Sequence, residues 1–199
     1  MTDQKLVLAS SSPRRREILG RLTDAFVVVP ADIDETPGVG ELPVDYVVRL
    51  AEEKAVAVAS PGSVVIGADT SVVLDGDILG KPIDNRDAAA TLRRLSGRSH
   101  EVLTGVAVVV TSPGGSATTT TGHERSTVDV DPLDERTIEW YLSTGEADDK
   151  AGSYGLQGAG GLFADRVTGS VSNVIGLPIG RLHALCLAAG VDLRDFARP

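Results

Sequence analysis

The sequence predicts an α/β protein in which a mixed central sheet carries flanking helices. Short apolar runs typical of buried strands alternate with segments of helical spacing along the 199-residue chain. A hairpin signal at Asp75-Gly76 separates two short strand-like runs, so at least one pair of strands is expected to be antiparallel. The length fits one domain of about 100–200 residues, or two small lobes that share a cleft.

The helices are predicted from apolar residues at helical spacing and from start or stop signals. Ser12 can cap the first helix, and Pro13 can occupy its first position. The expected helices span residues 13–22, 44–59, 85–95, 134–143 and 178–189. The expected strands span residues 6–9, 27–29, 64–68, 71–74, 78–79, 101–110, 125–130, 162–167 and 171–175. Residues 111–122 are rich in Ser, Thr and Gly, which predicts a flexible connection.

The composition narrows the class of protein. The chain has 19 Lys and Arg against 28 Asp and Glu, a formal charge of −9, and an acidic surface argues against binding duplex nucleic acid. A single cysteine excludes an internal disulfide framework and an all-cysteine zinc site. The apolar runs fall far short of the ~20 residues that span a membrane. Residues 1–12 do not resemble a signal peptide, so we expect a cytoplasmic protein with no membrane partner.

The segment Ser10-Ser11-Ser12-Pro13-Arg14-Arg15-Arg16 predicts an anion site. Hydroxyls, backbone N–H groups at a helix start and guanidinium groups together suit a phosphate. The alternative is an ordinary capped helix. Basic residues oppose the helix dipole at an N-terminus, however, so three arginines there are favourable only if an anion compensates them.

Asp69 follows an apolar strand, and open α/β sheets bind ligands at the carboxyl ends of their strands. An Asp there can hold Mg²⁺ or take a proton from water, although it can also simply form a turn. Lys54 falls near the apolar side of its helix, and Lys81 follows the hairpin. Each of these lysines, taken alone, is more often a solvated surface residue.

Taken together, the motifs resemble the Maf family. The first motifs are Ser10-x-Ser12-Pro13-Arg14-Arg15, Glu52-Glu53-Lys54-Ala55, Gly67-Ala68-Asp69-Thr70, Leu79-Gly80-Lys81-Pro82, and Ser96-Gly97 with His100. The later ones are Asp149-Lys150-Ala151-Gly152, Tyr154-Gly155-Leu156-Gln157-Gly158 and Ser172-Asn173-Val174-Ile175-Gly176-Leu177-Pro178. They occur in the family's order from about Leu6 to Leu187, and several motifs in order are far more specific than any single one.

The resemblance implies a nucleoside triphosphate pyrophosphatase, which hydrolyses the bond between the α and β phosphates to give the monophosphate and pyrophosphate. It implies one elongated domain over residues 1–199, with two lobes, a central cleft and a fold like that of the inosine triphosphate pyrophosphatases. A homodimer and dependence on Mg²⁺ or Mn²⁺ are typical of the family.

Carried over residue by residue, the resemblance makes Asp69 the catalytic carboxylate and a metal ligand together with Glu35. The residues it assigns to the substrate are Ser10, Ser12, Arg14, Arg15, Lys54, Thr70, Lys81 and Gln157. The stretch from Tyr154 to Gln157 is similar to the subgroup that acts on dTTP and UTP. The glutamine amide offers both a donor and an acceptor, which matches the mixed edge of uracil or thymine.

Two other functions stay open at this point. One is a nucleotide-binding regulator of septum formation with little catalysis, and the other is a purine-selective housecleaning pyrophosphatase. Asp69 beside several cationic residues favours an enzyme, because a protein that only binds nucleotides has less use for an activating carboxylate.

Overall fold

The computed structural model describes residues 4–196, which form an α/β structure with one mixed sheet. The strands are β1 Lys5–Leu8, β2 Phe26–Val28, β3 Ser63–Leu74, β4 Asp77–Leu79, β5 Ser99–Thr111, β6 Ala117–Val130 and β7 Ala164–Thr168. The helices are α1 Pro13–Gly20, α2 Pro43–Ala57, α3 Asn85–Leu95, α4 Glu135–Ser143, α5 Val171–Ile175 and α6 Ile179–Ala188. The predicted fold class is therefore confirmed.

The sheet has the strand order β2-β1-β3-β5-β6-β7, and β4 pairs with β3. Strand β1 runs parallel to both β2 and β3, whereas β4 pairs antiparallel with β3 and β7 pairs antiparallel with β6. The Asp75-Gly76 turn joins β3 to β4 with positive φ at both residues, as the hairpin signal predicted.

The chain divides into two compact units. The first comprises residues 1–69, 104–124 and 176–199, and its core packs Val7, Ala51, Val65 and Ala107. The second comprises residues 70–103 and 125–175, and its core includes Leu92, Ile138, Tyr141 and Phe163. Strands β3, β5 and β6 contribute residues to both units.

The start of α1 has the predicted cap. The Ser12 side chain accepts a hydrogen bond from the backbone N–H of Arg15, and Pro13 is the first residue of α1. Asp84 and Asp134 cap α3 and α4 in the same way.

Three predicted segments differ from the structure. Residues 64–68 and 71–74 belong to one strand, β3, because Asp69 and Thr70, which join them, also have strand backbone and neither is a glycine or proline. Residues 117–122, predicted as part of a flexible connection, begin β6, since their threonines are β-branched and favour a strand. Residues 171–175, predicted as a strand, form α5, because the Ser170 side chain accepts a hydrogen bond from the N–H of Asn173 and so starts a helix.

No helix among residues 4–196 is long and apolar enough to cross a membrane.

Candidate active site

The first unit holds seven of the predicted site residues, and three of them meet at one point. Lys54 Nζ lies 2.7 Å from Asp69 Oδ1 and 2.7 Å from Glu35 Oε1. The side chains of Lys54 and Asp69 are almost fully buried, whereas that of Glu35 is half-exposed. Two carboxylates therefore converge on a single ammonium group at the edge of the unit's interior.

Two glycines let helix α2 approach the sheet closely enough to make this contact. A Cβ atom on Gly67 of β3 would stand 2.1 Å from the backbone oxygen of Ala51. A Cβ atom on Gly105 of β5 would stand 2.0 Å from the backbone oxygen of Val47. Real Cβ atoms do not come that close, so only glycine allows the helix to lie where it does. Lys54, one turn beyond Ala51, is thereby brought against Asp69, two residues beyond Gly67.

Asp69 lies inside strand β3, with Thr70 and Ser71 continuing the strand. The sequence placed it at the strand's end, and this detail was wrong. A position inside a strand holds the Asp69 carboxylate more firmly than a turn would, because strand hydrogen bonds restrict the backbone on both sides of it. Because Asp69 is buried, its carboxylate needs a cationic partner, and Lys54 supplies one.

The start of α1 forms the second part of the site. Arg15 Nη1 donates a hydrogen bond to Ser10 Oγ at 3.2 Å, and Arg15 Nε donates one to the backbone oxygen of Gly176 at 2.9 Å. Ser10 Oγ also accepts a hydrogen bond from the backbone N–H of Ser12 at 3.2 Å. Ser10, Ser12 and Arg15 thus form one connected group around the N-terminus of the helix.

Electrostatics link the two parts. Burial is the largest influence on the Arg15 guanidinium and lowers its pKa. The positive charge of Arg14 also lowers this pKa, whereas the negative charges of Asp69 and Glu35 raise it. Arginine stays charged throughout the ordinary pH range. The first unit therefore presents several cationic groups beside two carboxylates, an arrangement suited to a polyanion and to a reaction at its phosphorus.

The other predicted residues, Thr70, Lys81 and Gln157, belong to the second unit. Lys81 and Gln157 are exposed. The loop that bears Gln157 is braced on both sides, because Gly155 donates its N–H to the Tyr141 hydroxyl at 3.2 Å and Ala159 donates its N–H to the Glu146 carboxylate at 2.9–3.0 Å.

The predicted site did not include the backbone oxygen of Gly176, which accepts a hydrogen bond from Arg15, or the glycines Gly67 and Gly105. A glycine inside an otherwise apolar strand is a sign of close backbone approach, and that signal was present at Gly67 and Gly105. No signal in the sequence pairs Arg15 with Gly176, because 161 residues separate them.

Comparison with known protein families assigns the chain to one of them. The model of the Maf-like protein family matches residues 5–189. The chain belongs to the Maf family. The resemblance carried by the ordered motifs is confirmed.

Several curated Maf relatives match along nearly their whole length. The dTTP/UTP pyrophosphatase of Anaeromyxobacter dehalogenans (strain 2CP-C) is 52% identical over 191 residues, which cover 95% of this chain and 96% of the relative. The dTTP/UTP pyrophosphatase of Myxococcus xanthus is 50% identical over 190 residues, covering 94% of each chain. A solved structure of the Mycobacterium abscessus nucleoside-triphosphatase / dITP/XTP pyrophosphatase overlaps with a TM-score of 0.40 at 18% identity, over 65% of this chain and 76% of that one.

Proposed function

We propose that this Maf protein is a nucleoside triphosphate pyrophosphatase that hydrolyses the bond between the α and β phosphates of dTTP and UTP. The observation that carries the proposal is the meeting of Lys54, Asp69 and Glu35 in the same unit as a helix N-terminus bearing Arg14 and Arg15. The names of the relatives, dTTP/UTP pyrophosphatases that match over nearly the whole chain, support the substrate.

The start of α1 would hold the phosphates. Its backbone N–H groups and the Ser10 and Ser12 hydroxyls can donate hydrogen bonds, and Arg14 and Arg15 can neutralise the charge. Arg15 is already held by Ser10 and Gly176, so little side-chain entropy remains to be lost when substrate binds. The arginines that disfavour an empty helix N-terminus are accounted for by an anionic substrate.

Asp69 would orient a water molecule toward the α-phosphorus and accept its proton. The new bond joins the water oxygen to the α-phosphorus, and the bond to the bridging oxygen breaks, so that nucleoside monophosphate and pyrophosphate leave. Lys54 stabilises negative charge on Asp69 before the reaction and on the phosphates during it. Reactions of this type depend mainly on positioning and electrostatics, which is what these residues provide.

Glu35 and Asp69 would hold Mg²⁺ or Mn²⁺. No group of three or more His, Cys, Asp or Glu side chains suited to a metal occurs among residues 4–196. Two convergent carboxylates nevertheless fit Mg²⁺, which commonly takes one or two protein carboxylates and completes its shell with water and substrate phosphates. When bound, the ion would offset phosphate charge and make a bound water more acidic.

Residues of the second unit complete the proposal. Lys81 would bind phosphate, Thr70 would contact substrate, and Gln157 would pair with the base through its amide. The single domain with a central cleft, the homodimer and the cytoplasmic location stay predictions.

A panel of common and modified triphosphates with Mg²⁺ tests the proposal, with pyrophosphate and orthophosphate measured separately. We expect pyrophosphate, released fastest from dTTP and UTP. Asp69→Asn should lower kcat by at least about 10²-fold, since a general base typically contributes 10²–10⁴-fold. Asp77→Asn, which changes an exposed carboxylate in an ion pair with Arg94, is the control and should leave kcat unchanged. Orthophosphate as the sole product, or no turnover on any triphosphate, would refute the function.

A further inference from the structure

Glu35 lies in a connection that has no regular structure to hold it. Residues 29–42, between β2 and α2, contain neither helix nor strand. The Glu35 side chain is half-exposed, so water weakens its ion pair with the buried Lys54. Further contacts of the connection therefore matter for the position of Glu35.

Two side chains of α2 contact this connection. The Tyr46 hydroxyl donates a hydrogen bond to the backbone oxygen of Glu35 at 2.9 Å. Arg49 Nη2 donates one to the backbone oxygen of Thr36 at 3.3 Å. Tyr46 and Arg49 are three positions apart, so they share a face of the helix, and the Arg49 guanidinium lies 5.6 Å from the centre of the Tyr46 ring.

Arg49 also binds Glu41, near the end of the connection that leads into α2. Its Nε lies 2.6 Å from Glu41 Oε1 and its Nη2 lies 2.8 Å from Glu41 Oε2, a two-pronged contact. The same carboxylate accepts a hydrogen bond from the backbone N–H of Gly38 at 2.8 Å. Arg49 lowers the pKa of Glu41 to about 2, so the pair stays charged over the ordinary pH range.

The Tyr46 hydroxyl is a donor beside the site, because a phenol is protonated at neutral pH. Its hydrogen bond joins the backbone at Glu35 to α2, the helix that also carries Lys54.

We propose that Tyr46 and Arg49 are positioning residues that clamp residues 35–41 against α2 and so place the Glu35 carboxylate at Lys54 and Asp69. This inference rests on the proposed function only for the role of Glu35 in turnover; the clamp itself is a property of the protein without substrate. Helix α2 then supplies both the cation of the site and the means of bringing the second carboxylate to it.

Amide hydrogen exchange of the nucleotide-free protein tests the clamp directly. Arg49→Ala should speed exchange of the Gly38 amide at least tenfold, because Glu41 loses the partner that holds it. Tyr46→Phe, which removes only the hydroxyl, should speed exchange nearer Glu35 with less effect at Gly38. The matched control is Arg93→Ala, because Arg93 makes the same two-pronged contact with Glu135 in the second unit. Unchanged exchange over residues 35–41 in both clamp variants would overturn the clamp.

A double-mutant cycle tests what the clamp does. Arg49→Ala should lower kcat for pyrophosphate release about tenfold in the wild-type background and leave it unchanged in a Glu35→Gln background, since the clamp would act through Glu35. Equal losses in both backgrounds, or faster exchange with no loss of kcat, would overturn the positioning role. If the wild-type protein releases no pyrophosphate at all, the proposed function fails while the exchange measurement still decides the clamp.

Discussion

Replacing Lys54 with methionine should destabilise the protein far more than removing an exposed ion pair of the same length. Lys54 and Arg94 both lie close to a carboxylate, at 2.7 Å from Asp69 and 2.8 Å from Asp77. The side chains of Lys54 and Asp69 are only 9% and 11% exposed, whereas those of Arg94 and Asp77 are 47% and 68% exposed. Water can therefore solvate Asp77 when its partner is lost, but it cannot reach Asp69 to the same extent.

The expected magnitudes follow from that difference. Removing one partner of a buried pair typically costs about 3–5 kcal/mol, because the other charge stays buried and uncompensated. Breaking an exposed pair costs about 0–1 kcal/mol. Glu35 adds little to the loss, since it is half-exposed and can be hydrated. We therefore expect the free energy of unfolding to fall by about 3 kcal/mol in Lys54→Met and by less than about 1 kcal/mol in Arg94→Met.

Urea denaturation at pH 7 measures both variants. The double variant Lys54→Met/Asp69→Asn should regain much of the lost stability, because it removes the stranded charge along with its partner. Equal losses in Lys54→Met and Arg94→Met, or a double variant no more stable than Lys54→Met, would refute the reasoning. Comparable urea m-values would show that the denatured states are alike.

Two further predictions concern packing and pH. Gly67→Ala should lower the free energy of unfolding, measured by urea denaturation, by about 1–3 kcal/mol, because its Cβ would meet the Ala51 carbonyl. Gly180→Ala is the control and should not destabilise the protein, because its Cβ would meet nothing within 4 Å. Equal effects of the two substitutions would contradict the close approach of α2. Burial lowers the pKa of His100 from its ordinary value of about 6.5 to about 4. The unfolded chain therefore takes up a proton first as the pH falls, and the free energy of unfolding should decrease between pH 6.5 and 4 by on the order of 3 kcal/mol. His100→Gln should flatten that part of the pH profile of the free energy of unfolding, and an unchanged profile would show that His100 does not produce it.

Local signals predicted the helices well because each signal acts within a few residues. Ser12, Asp84 and Asp134 each accept a hydrogen bond from a backbone N–H three residues ahead, a contact that needs no information from the rest of the chain. The segment Val171–Ile175 was predicted wrongly, because its β-branched residues favour a strand. The Ser170 cap starts a helix there, and the buried Asn173 side chain adds tertiary contacts by donating hydrogen bonds to the backbone oxygen of Val102 and to Ser126 Oγ.

The residues of the candidate site could be predicted from the sequence, but their positions relative to one another could not. The family resemblance named Glu35, Lys54 and Asp69, yet their meeting at one point depends on the missing Cβ atoms of Gly67 and Gly105. Tyr46 and Arg49 were missed. Tyr46 lies two turns before Lys54 on α2, whereas Arg49 lies five residues before it and therefore on a different side of the helix, so helical spacing does not link Arg49 to the site lysine.

The position of attack is the central claim, and hydrolysis in water labelled with heavy oxygen tests it most directly. With dTTP or UTP as substrate, mass spectrometry or phosphorus NMR locates the label in the products. If Asp69 directs water to the α-phosphorus, the label appears in the nucleoside monophosphate and the pyrophosphate is unlabelled. Label in pyrophosphate or in orthophosphate would show attack at another phosphorus and would contradict the account.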